Sequence, residues 1–160
     1  MIEYGIYGFL GVSALIFLAG IKIVRPTRRG VVERFGKYYN FAKPGFNWII
    51  PIVDKMYQVN ITEKLVNVER QEIITKDKLN AVVDAQVYFK VKSEEESVKN
   101  SQYNVYSVEN QIVNLARTTL RNIIGTMNLT DANSKRDSIN TDLMTTLAKE
   151  TKTWGIEVVR

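Results

Sequence analysis

The hydrophobic pattern changes period along the chain, and each change marks a different kind of element. Tyr4 to Ile21, YGIYGFLGVSALIFLAGI, is apolar and uncharged throughout. As a helix it would span about 27 Å, close to the roughly 30 Å hydrocarbon core of a bilayer. It therefore predicts an N-terminal transmembrane helix. Short strand-like runs follow: GVVERFG, bounded by glycines; KMYQVNI, with Tyr57, Val59 and Ile61 alternating against Gln58 and Asn60; and KLVNVERQEIIT. Leu79 to Val91 alternates most clearly. Leu79, Ala81, Val83, Ala85, Val87, Phe89 and Val91 lie on one face, and Asn80, Asp84, Gln86 and Lys90 on the other. That spacing predicts a strand of an antiparallel sheet covered on one side.

Beyond Val91 the period becomes helical. SEEESVKN predicts a short polar helix with Ser93 as its cap. From Val108 to Met127, the residues Ile112, Ala116, Leu120, Ile123 and Met127 recur at helical spacing, with Gly125 loosening the end. Ser134 and Asp137 have the spacing of a capping box for a second long helix, striped by Ile139, Leu143, Leu147 and Trp154. Gly155 suits a left-handed helix stop, and IEVVR begins another strand. Strands, then helices, then a strand define an α+β fold.

The flanks of the apolar run give it a direction. Glu3 precedes it, and Lys22, Arg25, Arg28 and Arg29 form a basic juxtamembrane cluster after it. The positive-inside rule places the N-terminus outside and the rest in the cytoplasm, as a single-pass protein of the plasma (inner) membrane. Tyr4 and Tyr7 stand where interfacial aromatics would. A cleaved signal peptide is a competing reading, but it needs a basic start, and the only small-residue site is LAG. A buried core helix is the third reading. Gly5, Gly8 and Gly11 recur every third residue rather than every fourth, a weak sign of helix contact.

Composition narrows the chemistry. The 160 residues contain no cysteine and no histidine. Disulfides, thiolate metal sites and histidine-based nucleophilic catalysis are excluded. No catalytic, cofactor or metal site is expected. A Ser–Lys membrane-associated hydrolase is the alternative, prompted by Ser134 with Lys135 and Ser97 with Lys99. Residues one or two apart do not face each other on a helix, so solvated surface is the simpler reading. The net charge of +5 and the pI near 9.4 raise nucleic acid as a partner. Arg117 and Arg121 share a helix face without stacking aromatics, and the basic residues beside the apolar run favour lipid headgroups, so no nucleic acid is expected. GIYGFLG lacks phosphate-loop spacing.

Several segments in order resemble the stomatin/prohibitin/flotillin superfamily, also called SPFH or band 7, and within it the bacterial stomatin-like (slipin and paraslipin) type. They are GVVERFGKY; Pro44, Gly45, Ile50, Pro51 and Asp54 of KPGFNWIIPIVDK; Gln71, Glu72, Thr75, Lys76 and Asp77 of RQEIITKD; LARTTLRNIIG; RDSIN; and WGIEVVR. Two positions depart from the pattern. Lys78 stands where members usually have Asn, and Ser93-Glu94 where they usually have Asp-Pro. The resemblance implies a membrane anchor with its basic flank (1–25) and an SPFH domain (26–160), strands over 26–92 and helices with a final strand over 93–160. It also implies a C-terminal coiled coil, which these residues lack, so the chain is expected to continue past Arg160. The implied role is a membrane scaffold, a homo-oligomer that builds rings or cages, organises membrane microdomains and regulates membrane proteases, channels or other membrane-protein clients.

Phe41 to Lys55 is the stretch this reading bears on most. By itself, Phe46 to Val53 reads as a buried strand with Trp48 in the core and Pro51 forcing it to an edge. With the resemblance, Phe46, Trp48, Ile49 and Ile50 rest on the bilayer, and Lys43 and Lys55 meet anionic headgroups, each worth about 1 kcal/mol near the surface.

Overall fold

A computed structural model describes residues 2–160, with side chains from Tyr7 onward. The chain forms two compact units, one ending at Ile61 and the other running from Thr62 to Arg160.

The first unit opens with helix α1, Ile2–Ala19. It ends two residues before the apolar run does, because Ile21 enters strand β1 (Ile21–Val24) instead of extending the helix. Among the described residues, no helix is long and apolar enough to cross a membrane. The side chains of Tyr4, Gly5 and Ile6, part of the expected span, lie outside the described residues. Strand β1 pairs antiparallel with β4 (Gly45–Trp48), Ile21 opposite Trp48 and Val24 opposite Gly45. Strands β2 (Arg28–Arg34), β3 (Lys37–Ala42) and β5 (Asp54–Asn60) form a second sheet, with β2 in the centre. Val24, Val32, Ala42 and Ile49 make the small core of this unit, with Met56 packed against it.

One strand departs from its sequence pattern at its start, and farther along Gln58 is exposed and Val59 half-buried, as the pattern expects. The alternation in β5 assigns Tyr57 and Val59 to the inner face, yet Asp54 is buried and Met56 packs inward while Tyr57 is exposed. The cause is an ion pair. Asp54 lies opposite Arg34 in the ladder, and its carboxylate accepts two hydrogen bonds from that guanidinium, at 2.7 and 2.9 Å. With Asp54 drawn inward, the period of two carries Met56 in with it.

The second unit is an antiparallel sheet in the order β6 (Lys64–Ile74), β7 (Asn80–Val91), β8 (Ile156–Val158). The alternation in β7 holds from Asn80 on, with Ala81, Val87, Phe89 and Val91 buried and Asn80, Asp84 and Gln86 exposed, but Leu79, expected on the buried face, precedes the strand and is exposed. That apolar face packs on α3 (Val108–Gly125) and α5 (Arg136–Thr151), through Ile112, Ala116, Leu120 and Ile124 of one and Ile139, Leu143 and Leu147 of the other. Complete burial of a side chain such as Phe89, Ile112 or Leu147 stabilises by about 1.5–3 kcal/mol.

Two expected caps are different. The short helix α2 begins at Glu95 with Glu94 at its N-cap, so Ser93 lies outside it. A further helix, α4 (Leu129–Ser134), occupies the residues before α5, and Ser134 ends it. The Ser134 hydroxyl donates back to the Thr130 carbonyl at 2.9 Å, which leaves Lys135 at the N-cap of α5. A single 3₁₀ turn, Lys152–Trp154, closes α5 and ends at Gly155, whose φ is 71°. A Cβ there would lie 2.1 Å from the Ser97 carbonyl oxygen, so glycine meets both the backbone angle and the close approach.

Candidate membrane interface

The sequence places Trp48 at the end of β4, and the structure gives it a partner far away in the chain. Its indole Nε1 donates to the Phe17 carbonyl at 3.0 Å, and its ring stacks on that of Phe17 with centroids 5.8 Å apart. A helix leaves its last four carbonyls without intrahelical donors. Trp48 satisfies one of those carbonyls of α1. Gly20 N also reaches the Ile16 and Phe17 carbonyls, and Ile49 N donates to the Gly20 carbonyl at 2.9 Å. The helix end and the β1–β4 ribbon are therefore joined by side-chain and backbone bonds.

The alternation of the ribbon sorts its residues. Val24 and Ile49 are buried, whereas Ile23, Phe46 and Trp48 are exposed. Ile23 lies directly opposite Phe46 in the ladder, so their side chains share one face. Trp48, two residues from Phe46, is on that face too and is 45% exposed. Of the residues expected at the interface, Phe46 and Trp48 thus present apolar surface. Ile49 is only 6% exposed and belongs to the core, and Ile50 is half-buried. Lys43 and Lys55 are exposed.

Sequence reasoning missed the exposed apolar Ile23 and Phe35 of this unit, while Ile52, also exposed, lies within the Phe46 to Val53 stretch it had singled out. Ile23 carried a readable signal, since it alternates with Val24 next to a basic cluster. Phe35 did not, because it sits in a turn where period says nothing.

Asp54 organises this part of the unit. Besides Arg34, it accepts the Ile50 N–H at 3.1 Å. The Arg34 hydrogen bonds, opposed by burial and aided by the Ile50 N–H, hold its carboxyl below the usual carboxylate range. The same partner raises Arg34, whose guanidinium also lies 3.7 Å from the Tyr39 ring centre. Around it the charge is positive. Lys22, Arg28 and Lys55 line an open depression of about 740 Å³ with Ala19 and Pro51. Arg28 donates to Gln58 at 3.5 Å, and Arg29 to the carbonyls of Pro26 and Arg28. Arg25 is exposed.

The residues that suggested other chemistry have other surroundings. Ser134 is bonded within α4, and Lys135 pairs with Asp131 at 3.2 Å. Ser97 is buried beneath Gly155. Arg117 reaches Glu69 at 3.8 Å, and Arg121 donates to Gln71 at 3.4 Å, which ties both to β6. Among the described residues, no three acidic, cysteine or histidine side chains gather to hold a metal.

An α+β chain with a small strand-rich unit, an apolar ribbon fastened to a helix end, and a helix-covered sheet is the class of protein these features define. Comparison with known proteins supplies the family. Residues 22–160 match the family described as SPFH domain / Band 7, and the chain belongs to that family. It is 37% identical to Stomatin-1 of Caenorhabditis elegans over 95% of its length and 45% of the relative's. It is 38% identical to a stomatin homologue of Pyrococcus horikoshii over 90% of its length and 53% of that chain. An uncharacterized protein of Methanothermobacter thermautotrophicus is 40% identical over 93% of this chain and 46% of its own. The chain thus spans about half the length of these curated relatives.

Proposed function

We propose that this protein is a membrane-anchored scaffold that assembles with copies of itself and organises the membrane proteins around it. The observation that carries this reading is the Trp48 bond to the end of α1. Phe9, Leu10, Val12, Leu15, Phe17 and Leu18 are all exposed on that helix. A helix apolar on every side needs either protein or lipid around it. With lipid around it, α1 as far as Ala19 forms the anchor, and Trp48 lies at the level of its last turn. That is the depth an amphipathic indole prefers. Ile23 and Phe46 then share that layer, and Lys22, Arg25, Arg28, Arg29, Lys43 and Lys55 face the headgroups. The charge asymmetry favours the N-terminus outside and residues 22–160 in the cytoplasm, at the inner membrane.

Membership of the SPFH family supports a scaffold rather than a catalyst, and Ser134 and Lys135, engaged separately, offer no nucleophile. Ring or cage assembly into microdomains, with membrane proteases or channels as clients, follows from the family by analogy. The test uses the full chain in vesicles, in a Trp154→Phe background. Trp48 emission should be quenched by lipids brominated along their acyl chains and shielded from iodide. Free access of iodide to Trp48 with no effect of brominated lipid would overturn the membrane reading. Protease added outside intact cells should spare residues 22–160; digestion would reverse the orientation.

A further inference from the structure

The net charge is not spread evenly along the chain. Residues 1–61 contain eight lysines and arginines against three acidic residues, whereas residues 62–160 contain fourteen of each. The first unit therefore carries the whole of the +5. Part of that charge is gathered in one place. Lys22 of β1, Arg28 at the start of β2 and Lys55 of β5 come from three strands and line the same open depression of about 740 Å³. Three like charges around one hollow repel one another, and a surface shaped for solubility alone mixes both signs.

The lining does not answer these charges. Its acidic member is Asp54, whose carboxylate is already taken by two hydrogen bonds from Arg34 and one from the Ile50 N–H. None of the ion pairs among the described residues involves Lys22, Arg28 or Lys55. Arg28 makes only a long bond, 3.5 Å, to the Gln58 side chain, which lines the hollow with Tyr57. Position narrows the choice of anion. Ala19, the last residue of α1, forms part of the wall, and two residues back the Phe17 carbonyl accepts the Trp48 indole. The hollow opens beside the end of the helix.

We propose that this depression is a binding site for the phosphate of one anionic phospholipid, held by Lys22, Arg28 and Lys55 with its acyl chains alongside α1. This rests on the membrane reading given above, and it differs from a general attraction to headgroups in assigning one lipid to one place. Guanidinium and ammonium groups give phosphate oxygens short, charge-assisted hydrogen bonds. The Gln58 amide and the Tyr57 hydroxyl offer neutral partners to a glycerol headgroup. A choline headgroup would bring its own cation against three others, so the same residues that favour an anionic lipid select against a zwitterionic one. A free phosphate ion has the same oxygens, but only a lipid adds chains that pack beside Ala19.

The test uses Trp48 as the reporter, in the full chain carrying Trp154→Phe. The protein is reconstituted in phosphatidylcholine vesicles with a small fraction of acyl-brominated phosphatidylglycerol, at about 0.15 M salt. Trp48 should be quenched more than by the same fraction of brominated phosphatidylcholine. Lys22→Gln, Arg28→Gln and Lys55→Gln should each lower that preference about fivefold. Lys37→Gln and Lys43→Gln, at exposed positions outside the depression, should change it by less than about twofold, because salt screens charges beyond about 8 Å. A variant that fails to fold leaves the other two to decide. Equal losses at all five positions would mean a diffuse basic belt and overturn the proposal, as would equal quenching by the two brominated lipids. Inorganic phosphate at constant ionic strength should leave the preference intact; its abolition would show a site for the free ion and overturn the assignment to lipid. If phosphatidylcholine and phosphatidylglycerol quench alike, only the site has failed. If neither quenches Trp48, the membrane reading has failed with it.

Discussion

Gly20 is where the helix meets the ribbon, and replacing it with alanine sets two effects against each other. Alanine is the better helix former by up to about 1 kcal/mol, and an extended α1 would gain from it. The structure says that the change is unfavourable. A Cβ at position 20 would lie 2.3 Å from the Ile49 carbonyl oxygen and 2.6 Å from Trp48 Nε1. The first of these is backbone and cannot swing aside. The junction must open, at the expense of the Ile49 N to Gly20 bond and the Trp48 to Phe17 bond. Each contributes about 0.5–1.5 kcal/mol net. Separation of the stacked Phe17 and Trp48 rings costs about 0.5–1.5 kcal/mol more. Against the propensity gain, Gly20→Ala should destabilise the first unit by about 1–3 kcal/mol. In micelles, with Trp154→Phe, the Trp48 near-ultraviolet dichroism should weaken and the thermal midpoint should fall. A higher midpoint with unchanged Trp48 signals would show that the helix end is not packed against Ile49 and Trp48, and the argument for the depth of Trp48 would go with it.

Other substitutions and conditions test the same reasoning. Phe35→Gly removes a strained backbone (φ 50°) and an exposed ring, so it should stabilise the chain in detergent by about 1 kcal/mol, read as a rise in thermal midpoint; a fall would show that the ring makes stabilising contacts within the fold. Lys78 (φ 61°) sits in a left-handed turn where SPFH members usually carry Asn, and Lys78→Asn should raise stability by about 0.5–1 kcal/mol in denaturant titration. Acid should loosen the β6–β7 turn. Asp77 is held below the usual carboxylate range first by the Thr75 hydroxyl and also by the Leu129 N–H, against burial. Its folded pKa is below its unfolded one, so its contribution is complete above the unfolded value and fades as pH falls through the folded one. Amide exchange at Leu129, corrected for intrinsic rates, should accelerate over that window and not in Asp77→Asn, which lacks the titration.

The second unit was legible because its signals are local. The period of two in Ala81–Val91 and the stripes Ile112–Ala116–Leu120 and Ile139–Leu143–Leu147 each name the face that the sheet and helices bury. Gly155 was legible as a stop for the same reason. Ser93 and Ser134 misled, since capping residues are common and the intervening helix Leu129–Ser134 has too few apolar residues to show a stripe. In the first unit the deciding contacts are non-local. Trp48 is 31 residues from Phe17, and Arg34 is 20 from Asp54. No window of sequence contains either pair. The motif match at Pro51 and Asp54 marked the segment without saying that Asp54 would draw the start of β5 inward.

The buried Asp54 bears on the membrane question itself. A turn that rests on lipid has to satisfy its backbone internally, because the bilayer offers no hydrogen bonds. Asp54 does this from within. It takes the Ile50 N–H and the Arg34 guanidinium, while Val53 N and Asp54 N donate to the Ile50 carbonyl, at 3.1 and 2.8 Å. With those groups paired inside the unit, Ile52 can project from the turn without leaving the backbone groups beneath it to seek water. Asp54→Asn keeps the shape and removes the charge, so Arg34 loses its counter-ion while remaining 30% exposed and able to reach water. The amide has one acceptor oxygen where the carboxylate had two, so one Arg34 bond is lost and the other weakened, and the loss should be about 1–3 kcal/mol. The loss should concentrate in the turn at residues 49–53, with amide exchange at Ile50 and Val53 accelerating more than across the β2–β5 ladder. Uniform acceleration throughout the first unit would mean that Asp54 holds the sheet as a whole, and that the turn has no separate polar support for an approach to lipid.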